Sequence, residues 1–128
     1  MIKTGLRKLG FGILLFGMAV CCCTASPVKA AEPDVLIDNT TFPDATFLKY
    51  VGRFDKSGDG RLSESERNAV KEIVVNVDPF SSQTKITSLA GIEYFPNLTV
   101  LECESNSLAG LDVTKNKKLQ ELNCDKNN

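Results

Sequence analysis

Oxygen-bearing side chains recur at regular spacing within residues 55–66, which read DKSGDGRLSESE. Oxygens at positions 1, 3, 5, 7, 9 and 12 of such a stretch, with glycine at position 6, are the ligands of an EF-hand calcium loop. Here those positions hold, in order, Asp55, Ser57, Asp59, the carbonyl of Arg61, Ser63 and Glu66. Gly60 stands at position 6, and Leu62 at position 8 is the apolar residue that such loops bury. The spacing therefore predicts a Ca²⁺ site.

The same stretch also carries a helix start, because Ser63 and Glu66 have the spacing of a capping box. That motif explains two residues and leaves Asp55, Ser57 and Asp59 without a role. Calcium is favoured over magnesium, which prefers fewer protein ligands and more water. Three carboxylates with a neutral serine at position 3 place the expected Kd in the weak extracellular class, about 10⁻⁴ to 10⁻³ M. We therefore expect the ion to brace the structure rather than to signal.

Two helices are expected to hold this loop in place. Pro43 and Asp44 suit the first turn of the first helix. Apolar residues at intervals of three and four give that helix one stripe, which ends just before Asp55. The stripe consists of Phe47, Tyr50, Val51 and Phe54. The second helix is expected over SESERNAVKE, residues 63–72.

The second helix departs from the usual apolar pattern. Arg67 and Lys71 stand where apolar residues would continue the stripe, which leaves Val70 and Val74. From Ile73 onward the residues are mostly β-branched, so the chain is expected to change from helix to strand there. We expect both helices to pack on the first coil of the segment that follows and to cover the end of its core.

A repeat of 21 residues occupies the second half of the chain. Leu98, Leu101, Cys103 and Asn106 recur as Leu119, Leu122, Cys124 and Asn127, and a looser turn precedes them at Ile86, Leu89, Ile92 and Phe95. This is the period and pattern of a leucine-rich repeat. An amphipathic helix is the alternative, but the two-residue step from Leu101 to Cys103 is typical of a strand. In such a coil the leucines and Cys103 point inward, and Asn106 bonds to backbone in the bend.

The two cysteines of the repeats would lie in neighbouring coils. Strands lie about 4.8 Å apart, so a disulfide between Cys103 and Cys124 is conceivable. Two buried thiols are the favoured interpretation. Between the inward leucines, the strands would present an exposed recognition face made of Val100, Glu102, Glu104, Glu121, Asn123 and Asp125. A merely solvated face is an equally good interpretation of those six residues.

An export signal is expected at the start of the chain. Lys3, Arg7 and Lys8 precede an apolar run over residues 11–23, and the sequence favours cleavage after Ala30. A membrane span needs roughly 20 apolar residues, which this run does not reach, so no span is expected after signal removal. A lipid anchor on one of the adjacent cysteines is the second choice. We therefore expect a secreted or cell-surface protein.

Composition narrows the function further. The chain has no histidine, which removes Ser-His-Asp and Cys-His catalysis, so we do not expect an enzyme. Residues 1–30 hold four of the 15 basic residues and none of the 16 acidic ones, which leaves 11 against 16, a net charge of −5, for residues 31–128. So acidic a chain is not expected to bind nucleic acid, whereas it suits divalent cations.

Residues 36–128 resemble bacterial secreted or cell-surface leucine-rich repeat proteins of the internalin-like type that open with an EF-hand-like cap. The resemblance rests on FPDATFLKYVGRFDKSGDGRLSESE and on GIEYFPNL with the repeats after it. It implies a capped horseshoe that binds a host or bacterial protein or a glycan, and it implies no catalytic residues. Such proteins carry more coils than the roughly two and a half counted here, so a truncated chain is expected, close to the minimum of roughly three repeats.

The predicted fold is α+β, a helix–loop–helix cap followed by a short solenoid. Its segments are a signal peptide (1–30), a linker (31–41), the cap (42–75) and incomplete repeats (76–128). The predicted function is calcium binding within an exported recognition or adhesion module. One alternative is a dockerin-like assembly module, although that would need a second calcium loop. The other is a fragment that has lost its function.

Overall fold

The structure, a computed structural model, describes residues 29–128, and residues 31–128 form one compact unit. The predicted signal peptide falls almost entirely outside the described residues. Within residues 29–128, no helix has the length and apolar character needed to cross a membrane. The elements in chain order are β1 Val35–Leu36, α1 Ala45–Val51, a 3₁₀ turn Gly52–Phe54, β2 Arg61–Leu62, α2 Glu64–Ala69, β3 Glu72–Val74, a 3₁₀ turn Ile92–Tyr94, β4 Val100–Glu102 and β5 Glu121–Asn123.

Two sheets organise this unit. β1 and β2 form an antiparallel pair in which Val35 lies opposite Leu62. β3, β4 and β5 form a parallel sheet in which Ile73, Leu101 and Leu122 share one register position. We call residues 31–71 the cap segment and residues 72–128 the coils.

The first helix forms as the apolar stripe predicts. Asp44 begins it, because its carboxylate accepts hydrogen bonds from the N–H groups of Thr46 and Phe47. The helix buries Phe47 and Val51 completely. A 3₁₀ turn continues the helix to Phe54, so helical structure ends immediately before Asp55.

The second helix is shorter than predicted. It ends at Ala69 rather than at residue 72, and Val70 already has extended backbone angles. The Lys71 carbonyl accepts hydrogen bonds from the N–H groups of Thr99 and Val100, which draws the chain into the parallel sheet. The prediction of a longer helix was wrong because strand pairing with a distant segment outweighed local helix preference.

Two further expectations for this region are corrected. The segment 31–41, expected to be an irregular linker, contains β1, which pairs with β2. Residues 72–74, expected to close the cap, form β3 and belong to the sheet of the coils. Val74 accordingly lies on a strand and is 40% exposed, rather than extending the apolar stripe of the second helix.

Arg67, which stands on α2 at a position where the sequence pattern calls for an apolar residue, is nevertheless packed in the interior. It is 4% exposed, and its guanidinium donates to the carbonyl of Pro33 at 3.1 Å. The Glu32 carboxylate lies 3.8 Å from the same guanidinium. Long aliphatic stems allow arginine to pack while the charge finds a partner. Arg67 therefore ties the start of the cap segment to α2.

The cap segment and the coils share one hydrophobic core. Phe47, Val51 and Leu62 belong to the same buried cluster as Ile92 and Phe95. The rings of Phe54 and Phe95 meet edge to face at 5.6 Å between centroids, a favoured aromatic geometry. The expectation of packing on the first coil is confirmed for α1 and the turn after it, whereas α2 contributes no residue to this cluster, because Val70 follows the end of that helix.

The coils turn on buried asparagines, as the repeat predicts. Asn106 donates through its side-chain N–H groups to the carbonyls of Val75, Cys103 and Glu104. Its carbonyl oxygen accepts from the N–H of Ile86 at 2.9 Å. Asn127 makes the equivalent bonds one coil later. Leu98, Leu101 and Cys103 are fully buried, which confirms their inward orientation.

The expectation of two buried thiols holds for one cysteine only. Both thiols are free, and Cys103 is buried whereas Cys124 is exposed. Leu122, which shares the register position of the fully buried Leu101, is 45% exposed. Both exposures have one cause, because no later coil packs over β5 within the described residues. Burial raises the pKa of the Cys103 thiol to about 11, so it stays protonated at neutral pH.

Candidate functional site

Three elements position residues 55–66. The 3₁₀ turn after α1 ends at Phe54, β2 crosses the middle of the loop, and α2 begins after Ser63. β2 pairs with β1, and the Ile37 N–H donates to the carbonyl of Gly60 at 3.0 Å. Gly58 and Gly60 have φ values of +74° and +77°. Glycine adopts these left-handed angles without steric cost, which allows the tight turn.

Asp55 organises the first half of the loop. One carboxylate oxygen accepts from the Ser57 hydroxyl at 3.0 Å and the Gly58 N–H at 2.6 Å. The other oxygen accepts from the Gly60 N–H at 2.9 Å. These bonds favour the ionised form, so the pKa of Asp55 is lowered, chiefly by the Gly60 N–H.

Glu66 closes the loop from the other side. Its Oε1 accepts from the N–H groups of Lys56 at 2.7 Å and Ser57 at 3.1 Å. Its Oε2 accepts from the Ser63 N–H at 2.9 Å and the Ser63 hydroxyl at 2.7 Å. The Ser63 hydroxyl accepts in turn from the Glu66 N–H, so the capping box is confirmed. The Ser63 hydroxyl, followed by the backbone donors, lowers the pKa of Glu66 to about 2.

The structure brings four of the six predicted ligands into one network. Ser57 is the link, because its hydroxyl bonds to Asp55 and its N–H bonds to Glu66, which also bonds to Ser63. Asp59 is turned to a local contact, in which its carboxylate accepts from the Arg61 N–H at 2.9 Å. Arg61 itself lies in β2.

The side chains of this loop have the right chemical types for calcium, but its carboxylates are not gathered around one point. The donors are carboxylate and hydroxyl oxygens, the type that Ca²⁺ prefers. In the described part of the chain, no group of three or more His, Cys, Asp or Glu side chains is gathered closely enough to hold a metal ion. The chemical types of the donors therefore fit calcium. In this structure, however, the carboxylate oxygens of Asp55 and Glu66 accept hydrogen bonds from N–H and hydroxyl groups of the loop.

The exposed face of the parallel sheet is the second candidate site. Val100, Glu102, Glu121 and Asn123 lie on β4 and β5, whereas Glu104 and Asp125 each lie two residues beyond the end of those strands. Across the three strands, the register aligns Glu72, Val100 and Glu121 in one row, and Val74, Glu102 and Asn123 in another. We call this surface the sheet face. The sequence-based prediction missed that β3 contributes to this face through Glu72, Val74 and, beyond the strand, Asn76. The alternation of inward and outward residues in KEIVVNV indicates this contribution.

Polar side chains on the sheet face bond to one another across the strands. The Asn76 amide donates to the Glu102 carboxylate at 2.7 Å, and its carbonyl oxygen accepts from the Glu104 N–H. Lys126 donates to Glu104 at 2.7 Å, and Asn123 donates to the same carboxylate at 3.2 Å. The Lys126 ammonium lowers the pKa of Glu104. The face is therefore acidic, with its side chains already ordered.

Solved structures share this fold, whereas no protein-family model and no curated protein matches the chain. An internalin (inlF) from Listeria monocytogenes str. 4b F2365 is 25% identical with a TM-score of 0.58 and matches 74% of this chain. An internalin C2 (inlC2) from the same strain is 25% identical with a TM-score of 0.56 over 77% of this chain. The functional domain of InlJ from Listeria monocytogenes, which includes a cysteine ladder, is 28% identical with a TM-score of 0.50 over 76%.

The chain therefore has a bacterial leucine-rich repeat fold. Within that class it is similar to the internalins. The chain spans 27%, 41% and 25% of the lengths of the three structures.

Proposed function

We propose that this chain is an exported recognition module that binds a protein or glycan partner through the sheet face. The observation that carries the proposal is the ordered set of acidic and amide side chains along β3, β4 and β5. Glu102 and Glu104 are held by neighbouring side chains, so less side-chain entropy is lost when a partner binds. Carboxylates outnumber cations on this face, which favours a partner with basic or hydrogen-bond-donating groups.

Binding to arrays of extracellular proteins and glycans tests this proposal. Residues 31–128, which form one compact unit, would be labelled and compared with the variant Glu102→Lys/Glu121→Lys and with Glu93→Lys, an exposed control outside the sheet. We expect the array ligands of the native chain to be lost in the sheet-face variant and kept in the control. Ligands that bind the sheet-face variant as well as the native chain would contradict the proposal.

We propose further that the loop of residues 55–66 binds one calcium ion through Asp55, Ser57, Asp59, the Arg61 carbonyl, Ser63 and Glu66. The network that joins Asp55, Ser57, Ser63 and Glu66 supports this, because it links oxygen-bearing side chains from both ends of the loop. A bound ion would supply positive charge that holds these oxygens together. This would fasten α1 to α2 and keep the cap segment closed over the coils.

Calorimetry with CaCl₂ in the millimolar range tests the metal proposal. Glu66→Gln keeps the capping spacing and removes the charge, and Asp55→Asn does the same at the first position. Asp78→Asn, an exposed turn carboxylate outside the loop, is the matched control. We expect binding heat for the native chain and the control only. Heat of the same size from Asp55→Asn would rule the site out.

A further inference from the structure

A groove of about 970 Å³ runs between the first helix and the outer strand of the parallel sheet. One wall is α1 and the turn after it, which contribute Lys49, Tyr50 and Arg53. The other wall is β3 and its continuation, which contribute Val74 and Val77. The loop after residue 77 closes one end through Gln83 and Thr84. This groove lies outside the loop of residues 55–66, and it borders the sheet face at Val74 and Asn76.

The helical wall is basic. Lys49 and Arg53 are four residues apart, so they lie on the same side of the helix. Both are exposed, and neither forms an ion pair with any residue in 29–128. The Arg53 guanidinium lies over the ring of Tyr50, 5.0 Å from its centroid, which orients it. Two cations without an ion-pair partner among the described residues therefore give the helical wall a positive charge beside an acidic sheet face.

The strand wall is apolar and has unused backbone groups. Val74 is 40% exposed, and Phe80 is 98% exposed in the loop that supplies Gln83 and Thr84. The N–H groups of Val75 and Val77 donate toward β4, so the N–H and carbonyl of Asn76 point the other way, toward the groove. Within residues 29–128 those two groups of Asn76 have no hydrogen-bond partner. At Val74 the edge N–H is covered, because it donates to the Tyr50 hydroxyl at 3.1 Å.

We propose that this groove binds an extended, acidic segment of a partner protein that alternates carboxylate and apolar side chains. The main chain of the segment pairs with Asn76, in the manner of strand addition to a sheet edge. Its carboxylates meet Lys49 and Arg53, and its apolar side chains pack on Val74 and Phe80. Tyr50 and Arg53, whose guanidinium lies over the Tyr50 ring, are of the residue types enriched among those that dominate interface energetics. This surface shares Val74 and Asn76 with the sheet face but selects the opposite charge.

Titration of labelled residues 31–128 with a defined peptide, followed by amide NMR spectra, tests this proposal. The probe is an acetylated and amidated hexapeptide of alternating glutamate and valine, and lysine replaces glutamate in the control peptide. We expect shift changes confined to residues 45–53 and 74–84 for the acidic peptide, and none there for the basic one. Failure of the acidic peptide to shift those amides, or shifts centred on β4 and β5, would overturn the proposal.

Matched variants separate charge from fold. Lys49→Glu/Arg53→Glu is expected to weaken binding by about tenfold or more, because attraction becomes repulsion. Lys115→Glu/Lys117→Glu makes the same charge change on an exposed turn of the coils and is expected to leave binding nearly unchanged. Equal weakening in both variants would show non-specific attraction and defeat the proposal. Phe80→Ala keeps all charges, so we expect it to weaken binding without altering the salt dependence of binding. Binding of unchanged strength would show that Phe80 is not part of this surface.

Discussion

The cap segment and the buried bends of the coils use different side chains to satisfy the backbone, although turns of the coils also use carboxylates, at Asp78, Glu93 and Asp112. In the cap segment, carboxylates accept from backbone N–H groups, as Asp38, Asp44, Asp55 and Glu66 each do. In the coils, carboxamides act at the bends, and Asn106, Asn116 and Asn127 each donate to two or more carbonyls.

The difference follows from which backbone groups each region leaves unpaired. Helix starts and tight turns leave N–H groups without partners, and a carboxylate is a pure acceptor with two oxygens. Stacked coils leave carbonyls as well as N–H groups unpaired at each bend, and a carboxamide accepts through its oxygen and donates through two N–H bonds. The cap segment therefore depends on ionisation, whereas the asparagine bonds of the coils do not.

The largest effect is expected from Asn106→Ala. This substitution removes the hydrogen-bond partner of the Ile86 N–H and of the buried carbonyls to which Asn106 donates. Each buried polar group left without a partner costs about 1–3 kcal/mol. We expect the free energy of unfolding to fall by about 3 kcal/mol or more. Urea denaturation measures it. Asn127→Ala is the matched control, because it removes equivalent bonds from a half-buried position. An equal loss in both variants would mean that burial does not set the strength of these bonds.

A smaller effect is expected from Asp44→Ala. One oxygen of Asp44 caps α1, and the other accepts from the N–H and hydroxyl of Thr87 at 2.8 and 3.0 Å. Loss of a helix cap costs about 1 kcal/mol, and the bonds to Thr87 add to it. Thermal unfolding is the measurement. Asp44→Asn keeps one acceptor oxygen and should recover part of the loss, and complete recovery would show that the contact with Thr87 contributes nothing.

Acid should act on one region before the other, and two adjacent residues allow a direct comparison. The Thr87 N–H donates to Asp44, and the Ile86 N–H donates to Asn106. Partial burial raises the pKa of Asp44, but its hydrogen bonds outweigh that effect and lower the pKa below the ordinary 3.8. The stabilisation from Asp44 is therefore complete above that ordinary value and disappears as the pH falls through the lower folded value.

Amide proton shifts recorded during an acid titration would show this difference. We expect the Thr87 signal to move with a midpoint below pH 3.8 and the Ile86 signal to stay in place until global unfolding. Parallel movement of both signals would contradict the distinction between carboxylate and carboxamide bonding.

The smallest effect is expected at the surface ion pair of Lys126 and Glu104, whose charged atoms are 2.7 Å apart. Exposed pairs gain little because water screens them and their side chains lose freedom on pairing. We expect Lys126→Ala to leave the urea midpoint unchanged within error, while the sheet face becomes more negative. A clear loss of stability would show that surface charge supports the coils as strongly as the asparagines do.

Several features of this protein follow from its sequence alone. The 21-residue period predicts inward leucines and bonding asparagines, and the structure confirms both at Leu101 and Asn106. The stripe of α1 and the capping box at Ser63 and Glu66 are likewise confirmed. These features are readable because each depends on residues close in sequence, where helix and strand periodicity and capping distances are set by local geometry. The calcium site and the exported location remain predictions of the same kind.

Only the tertiary structure decided how distant segments pair and what they bury. β1 pairs with β2, so that Val35 lies opposite Leu62, although neither short strand indicates the other by its own sequence. Arg67 is buried because the start of the cap segment reaches its guanidinium, and Cys124 is exposed while its repeat equivalent Cys103 is buried. The physical reason is common to these cases. Burial and strand pairing depend on which neighbours the rest of the chain brings to a residue, and no local pattern contains that information.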